Sequence, residues 1–282
     1  MHLSNYHSHC YFCDGKSLPE TFVRFAVSRK FQTYGFSSHS PLPFDTNWNM
    51  PKDLADDYFA EINRLKRKYA GKITLYAGME IDYLDKSYNA SIPYFQEMPL
   101  DYRISSVHFL PKSEELSEKN MISIDGSFND FQISLNNFFG GDIRKMVTRY
   151  YQSVKEMIEA GGFDIVGHID KIYMYSQLCD NFYFSARWYQ DLVHEVFELI
   201  AQKGMIVEVN TKNLIKKGEI YPHFFMLPIL RKLKIPIMIN SDCHYPDLID
   251  SGIKETVDIL KKEGICTARE LINGVWEEVS LY

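Results

Sequence analysis

Two short pairs of residues have the types and spacing for shared chemistry although some 235 positions separate them: His7-Ser8-His9 and Asp242-Cys243-His244. Residues two apart on a β-strand point to the same face, so each pair aims two donor atoms at one point. Imidazole nitrogen and carboxylate oxygen are donors suited to first-row divalent metals. The two pairs therefore predict a closed structure whose first and last strands meet around metal.

Further polar residues stand where apolar runs end. His39 closes Tyr34-Gly35-Phe36-Ser37-Ser38, Glu80 closes the run from Ile73 to Met79, and His108 follows Ile104-Ser105-Ser106-Val107. His168 closes Phe163 to Gly167, and Asp242 follows Ile235 to Ser241 in the same way. In a (β/α) barrel the C-terminal strand ends share one face, so six of the nine histidines would converge on one rim. Taken singly, a strand-end histidine reads as a hydrogen-bonded structural residue, and Glu80 as a helix N-cap acid or half of an ion pair. Taken together, the placements predict a metal site. Cys10-x-x-Cys13 has no second Cys or His pair to complete it and reads as incidental thiols. Glu208, inside Ile206-Val207-Glu208-Val209-Asn210, reads as a hydrogen-bonded acid within the barrel.

The elements that must position these residues follow from apolar periodicity. Strands are predicted near 3–9, 33–38, 73–82, 102–109, 164–169, 205–210 and 236–241. Helices are predicted near 18–30, 51–70, 88–97, 142–161, 185–203, 222–233 and 251–263. Alternating strands and helices indicate parallel βαβ units, and about seven of them in one α/β domain over residues 1–282 fit a closed barrel. The stretch at about 110–141 breaks the rhythm. Its aromatic residues Phe128, Phe131, Phe138 and Phe139 suit an ordered flap with a short helix over the barrel mouth.

Composition narrows the function classes. Hydrophobic residues make up 45% and charged residues 24%, as in a globular protein with a substantial core. A formal charge of −6 gives no support for a nucleic-acid-binding surface. Five irregularly spaced cysteines give no disulfide framework, and no run is apolar and long enough to span a bilayer, so no membrane association and a cytoplasmic location are expected.

With His7-x-His9, His39, Glu80, His108, His168 and Asp242-x-His244 in this order, nearly the whole chain resembles the polymerase-and-histidinol-phosphatase (PHP) family of metal-dependent phosphoesterases. Ser106-Val107-His108-Phe109, Gly167-His168-Ile169-Asp170 and Glu208-Val209-Asn210-Thr211 resemble its histidinol-phosphate phosphatase branch. The resemblance implies a distorted (β/α)7 TIM-like barrel with three divalent metals, Zn, Mn or Fe, at the C-terminal ends of the strands. It implies one metal on His7, His9, Glu80 and Asp242, and a second on Glu80, His108 and His168. The third would take His39, His244 and Asp14, which stands where many relatives have His.

The implied reaction is hydrolysis of L-histidinol phosphate, a small-molecule step of histidine biosynthesis, by attack of a metal-bridging hydroxide. Glu80, Asp242 and His244 would be its catalytic residues. The alternatives are a family phosphoesterase acting on a nucleotide or another small phosphate ester, and a non-catalytic metal-binding module. Candidate phosphate-binding residues are Arg103, Lys112, Arg144, Lys171, Arg187, Lys212 and Lys216. Asp45, Asp82 and the aromatic flap are candidates for the histidinol end.

Overall fold

The structure is a computed structural model, and it describes residues 3–113 and 115–281. Eleven strands occur among the described residues: β1 (Ser4–Asn5), β2 (Thr33–Phe36), β3 (Thr74–Asp82), β4 (Tyr102–Ser106), β5 (Phe109–Pro111), β6 (Met121–Ser123), β7 (Ile165–Val166), β8 (Ile206–Asn210), β9 (Ile237–Asn240), β10 (Thr267–Ile272) and β11 (Val275–Ser280). Seven of them form one parallel sheet in the order β1-β2-β3-β4-β7-β8-β9. Chain order equals spatial order, as single-direction βα winding requires.

Side chains as well as main chain close the sheet into a barrel. The Asn5 amide donates to Ser241 Oγ at 2.8 Å, and the Tyr6 N–H donates to Asn240 Oδ1 at 2.8 Å. Beyond them Ser8 and Cys243 form a parallel bridge, with the His9 N–H on the Cys243 carbonyl at 2.9 Å. The first and last strands thus meet, as the two polar pairs predict.

A seven-stranded barrel has a narrow interior, and here one tyrosine fills much of it. The Tyr102 hydroxyl lies 2.5 Å from the Tyr6 carbonyl oxygen and 2.9 Å from that of Phe36. A Cβ on Gly78 would stand 2.2 Å from the Tyr102 ring, and one on Gly35 2.3 Å from its hydroxyl, so neighbouring strands need glycine there. Below it, Tyr6, Tyr76, Ile104, Ile165, Ile206, Met238 and Leu271 form a buried apolar floor. Leu271 comes from the antiparallel β10–β11 hairpin, which the periodicity reading leaves out although Asn273-Gly274 between its strands is a strong hairpin signal.

Helices Pro19–Ser28, Ala55–Lys68, Ile143–Ala160, Arg187–Lys203 and Ile253–Lys262 match the predicted periodic segments closely. Asp142 caps Ile143–Ala160 by accepting from the Arg144 and Lys145 N–H groups, and Gly204 ends Arg187–Lys203 in the left-handed region. Two predicted helices are shorter. Near 88–97 only Pro93–Gln96 is helical, because Asp85, Asn89 and Ser91 spend their side chains on local turn bonds. Near 222–233 a 3-10 turn at Phe224–Met226 precedes Leu227–Leu233, whose first turn holds Pro228.

The stretch after β4 carries the antiparallel β5–β6 hairpin and then helix Phe128–Phe139. Ser127 and Asp130 form a reciprocal capping box at the helix start. The Tyr175 ring packs against Phe128 and Phe131 and ties this unit to the barrel.

Candidate metal centre

Glu80 lies at the middle of a buried cluster. It is 1% exposed, and its two carboxylate oxygens face different neighbours. Oε2 lies 3.2 Å from His7 Nε2, 3.5 Å from His9 Nε2 and 3.0 Å from His39 Nδ1. Oε1 lies 2.9 Å from His168 Nε2 and 3.7 Å from His108 Nε2. Asp242 Oδ1 faces the same space, 3.2 Å from His9 Nε2 and 3.8 Å from His7 Nε2. Asp242 has φ 47°, an uncommon left-handed setting for a non-glycine residue, at the turn that follows β9.

Asp14 Oδ2 lies 3.2 Å from His244 Nε2, and Asp14 Oδ1 3.9 Å from His39 Nε2. All nine residues expected as ligands are therefore brought together. Their donor atoms form four overlapping groups, each within 4.8 Å: His9 with Asp14, His39 and His244; His7 with His168 and Asp242; His7 with His9 and Glu80; and His39 with Glu80 and His108.

The donor set fits divalent metal on structural grounds. His7 Nε2 and His9 Nε2 face each other at 3.1 Å, an arrangement that two lone pairs disfavour unless a cation or proton intervenes. Glu80 Oε2, His39 Nδ1 and Asp14 Oδ1 are buried without a hydrogen-bond partner, although nitrogen and oxygen of the first two lie 3.0 Å apart. Buried polar atoms left unpaired are destabilising, and cations held among these donors would satisfy them.

Electrostatics divide the histidines. Burial lowers the His7 pKa, but Glu208, Glu80 and Asp242 outweigh it and raise the group well above its ordinary value. Burial also lowers His108, but Asp82 and Glu80 lift it to about 9. His9 is held well below its ordinary value by burial and by the facing His39 and His244. Burial raises Glu80 and Asp242, yet His7, His39 and His108 for the former, and Lys212, His7 and His9 for the latter, keep both well below the usual carboxylate range.

Two further acids orient the donor rings. Glu208 Oε1 takes His7 Nδ1 at 2.6 Å and the Asn240 amide at 3.0 Å, while Oε2 accepts from the His168 N–H at 2.9 Å. Its place inside β8, read from the sequence as a buried supporting acid, agrees with these contacts. Asp82 Oδ1 takes His108 Nδ1 at 2.8 Å and is fully buried, so it is no contact for a substrate. Its place in Glu80-Ile81-Asp82, with both acids on one strand face, was the available signal. Carboxylates behind ligating histidines fix the tautomer and typically change metal affinity or activity by about 10–100-fold when removed. Glu208→Gln is accordingly expected to weaken metal binding by roughly that factor in a chelator competition, with little change in secondary structure by circular dichroism. An unaltered metal affinity would show that His7 needs no orientation from behind.

The cluster forms one wall of a cavity of about 410 Å³. Of the seven basic candidates only Lys171 and Lys212 line it. Lys212 Nζ is 3.0 Å from Asp242 Oδ1, and Lys171 Nζ 3.1 Å from Asp125 Oδ2. Five expectations are corrected. Arg103, near the start of β4, donates to the carbonyls of Phe95, Gln96 and Met98, far from the strand's C-terminal end. Lys112 donates to the Lys119 carbonyl, the Arg144 guanidinium lies over the Trp188 ring, and Arg187 and Lys216 are exposed on helices. Asp45 does not line the cavity either; Asn47, Trp48, Ser123, Asp125 and Gly126 do, and the sequence reading passed over all five.

The sequence pattern of the PHP domain matches residues 5–212. The chain belongs to the PHP family. The PHP chain is 28% identical over 258 residues to a histidinol-phosphatase of Bacillus subtilis (strain 168), covering 84% of this chain and 92% of that one. It is 22% identical to a probable histidinol-phosphatase of Deinococcus radiodurans over 93% of this chain and 94% of that one.

Among solved structures, the putative histidinol phosphatase of Listeria monocytogenes superposes with a TM-score of 0.78 at 24% identity, over 90% of this chain and 99% of that one. The histidinol phosphate phosphatase of Lactococcus lactis subsp. lactis, solved with zinc, L-histidinol and phosphate, gives 0.76 at 20% identity, over 97% and 98%. The barrel is thus the α/β, TIM-like PHP barrel. No helix among the described residues is long and apolar enough to cross a membrane.

Proposed function

We propose that the protein is a metal-dependent phosphomonoesterase that hydrolyses L-histidinol phosphate to L-histidinol and phosphate, a step of histidine biosynthesis. The observation that carries this reading is the convergence of nine metal-donor side chains in one cluster, seven of them lining a cavity that two lysines also line. The names of the relatives just described, and the zinc, L-histidinol and phosphate in the Lactococcus lactis structure, supply the substrate.

Three divalent ions, Zn, Mn or Fe, are assigned here. His7, His9, Glu80 and Asp242 would hold one, Glu80 with His108 and His168 a second, and Asp14, His39 and His244 a third. When bound, they supply Lewis acidity: positive charge for the phosphoryl oxygens and activation of water for in-line attack.

The chain's own groups bind and orient. Lys171 and Lys212 reach into the cavity from two sides and would clamp the phosphoryl oxygens as point charges. Glu80 and Asp242 stay ionised, and Glu208 and Asp82 hold the Nδ1 atoms of His7 and His108, so the Nε2 atoms keep their aim. His244, only partly buried at the cavity edge, would hold the third ion through Nε2 beside Asp14, where that ion's charge can face the substrate's oxygens.

Phosphate release from L-histidinol phosphate by metal-reconstituted protein tests this, beside a nucleoside monophosphate, an aryl phosphate and an oligonucleotide. A kcat/KM for histidinol phosphate well above the others is expected. A better nucleotide substrate would move the protein to another phosphoesterase activity, and inactivity on all four with metal bound would mean a binding module.

A further inference from the structure

The cavity has two chemically different walls. One is the donor cluster. The other comes from two loops that supply Asn47 and Trp48, and Ser123, Asp125 and Gly126 at the end of the β5–β6 hairpin. Four carboxylates line the space; Asp14, Glu80 and Asp242 belong to the cluster, and Asp125 lies outside it, on the loop that runs beside His108.

Asp125 is firmly placed. The Ile124 N–H donates to the His108 carbonyl at 3.0 Å, and the Tyr175 hydroxyl donates to the Gly126 carbonyl at 2.6 Å. The Ser127–Asp130 capping box follows directly. The side chain of Asp125 remains about a third exposed, at 35%, while the Lys171 side chain that it pairs with is 5% exposed. Burial raises the Asp125 carboxyl, but Lys171 and His108 hold it below its ordinary value, so it is ionised at neutral pH.

For phosphate alone this residue is unfavourable. It repels a dianion and neutralises Lys171, one of two lysines in the cavity. A substrate that carries a cation as well as phosphate reverses that balance, because an ionised acid in the cavity lining outside the cluster then disfavours every ester lacking the cation. Trp48, stacked on Phe109 with ring centroids 5.6 Å apart and edge-on to His39 and His108, adds an aromatic surface to the cavity lining.

Building on the phosphatase reading above, we propose that Asp125 is a specificity-determining residue: it receives the ammonium group of the leaving alcohol while Lys171 turns to the phosphate.

The test compares kcat/KM for L-histidinol phosphate and for the same ester without its amine, in the wild type and in Asp125→Asn and Asp125→Glu. Binding of L-histidinol to the metal-loaded proteins is followed by calorimetry. A charge-assisted contact predicts a wild-type preference for the amine of roughly 10–100-fold. In Asp125→Asn that ratio falls toward one and L-histidinol binds more weakly by a similar factor; Asp125→Glu regains part of both. An Asn variant that keeps the ratio, or loses activity on both esters equally, overturns the proposal, the second result assigning Asp125 to positioning Lys171. A wild type that favours histidinol phosphate while the Asn variant keeps that preference refutes this inference alone. A wild type that hydrolyses neither ester but cleaves nucleotides refutes the phosphatase assignment and this inference with it.

Discussion

Exhaustive chelation is expected to abolish phosphate release from L-histidinol phosphate and to lower the Tm by about 5–16 °C, with both restored by Zn, Mn or Fe. A ligand at a hundred to a thousand times its Kd stabilises the folded state by about 2.7–4.1 kcal/mol. In a chain of this size each kcal/mol moves Tm by about 2–4 °C. The cluster makes the effect large because its nitrogens and oxygens face one another while largely buried, with Glu80 Oε2 and Asp14 Oδ1 unpaired. The same geometry fixes the sign of the pH dependence. Metal must displace the proton from His7, raised well above its ordinary value, and from His108, raised to about 9. Apparent metal affinity should therefore rise with pH until about pH 9, by up to about tenfold per pH unit for each proton displaced. Affinity flat between pH 6 and 9, measured by competition with a chelator of known proton affinity, would contradict this.

Glu80→Gln is expected to be the most damaging single substitution in the centre, lowering kcat/KM by roughly a thousandfold or more. Its two oxygens approach five histidines, more than any other carboxylate of the cluster does. An amide keeps the volume but loses the charge and one acceptor, and leaves His7, His39 and His108 without the counter-charge that now faces them. Elemental analysis should show fewer metal ions per chain, which separates loss of the centre from loss of a purely chemical step. Full metal content with normal activity would remove Glu80 from its assigned place.

The donor set was legible because strand-end position is a strong constraint. Each of His39, Glu80, His108, His168 and Asp242 follows or ends an apolar run, and a barrel brings such positions to one rim. The same logic placed Glu208, whose burial within a strand demanded a polar partner. The phosphate clamp was far less legible. Arg103 and Lys171 look alike as isolated basic residues near strands, but Arg103 stands near the beginning of β4 and Lys171 three residues past His168. Only strand direction in three dimensions separates them. Asp125 and Trp48 carry no periodic signal, since loops place side chains through tertiary contacts such as Tyr175 to Gly126. The β10–β11 hairpin was missed for a different reason: Asn273-Gly274 announced it, but its polar, half-exposed strands lack the apolar runs that marked the barrel.

The seam between β1 and β9 carries a consequence for biogenesis. Asp242 and His244 join His7 and His9 only when the Asn5 amide and the Tyr6 N–H find Ser241 and Asn240 across that seam. A ribosome adds about 5–20 residues per second, so a nascent chain carries His7 and His9 for many seconds before Asp242 and His244 are made. During that interval the chain has only part of the donor set that the complete barrel brings together. Assembly of the donor cluster is thereby coupled to completion of the barrel, and a chain interrupted before residue 242 lacks two of its nine donors.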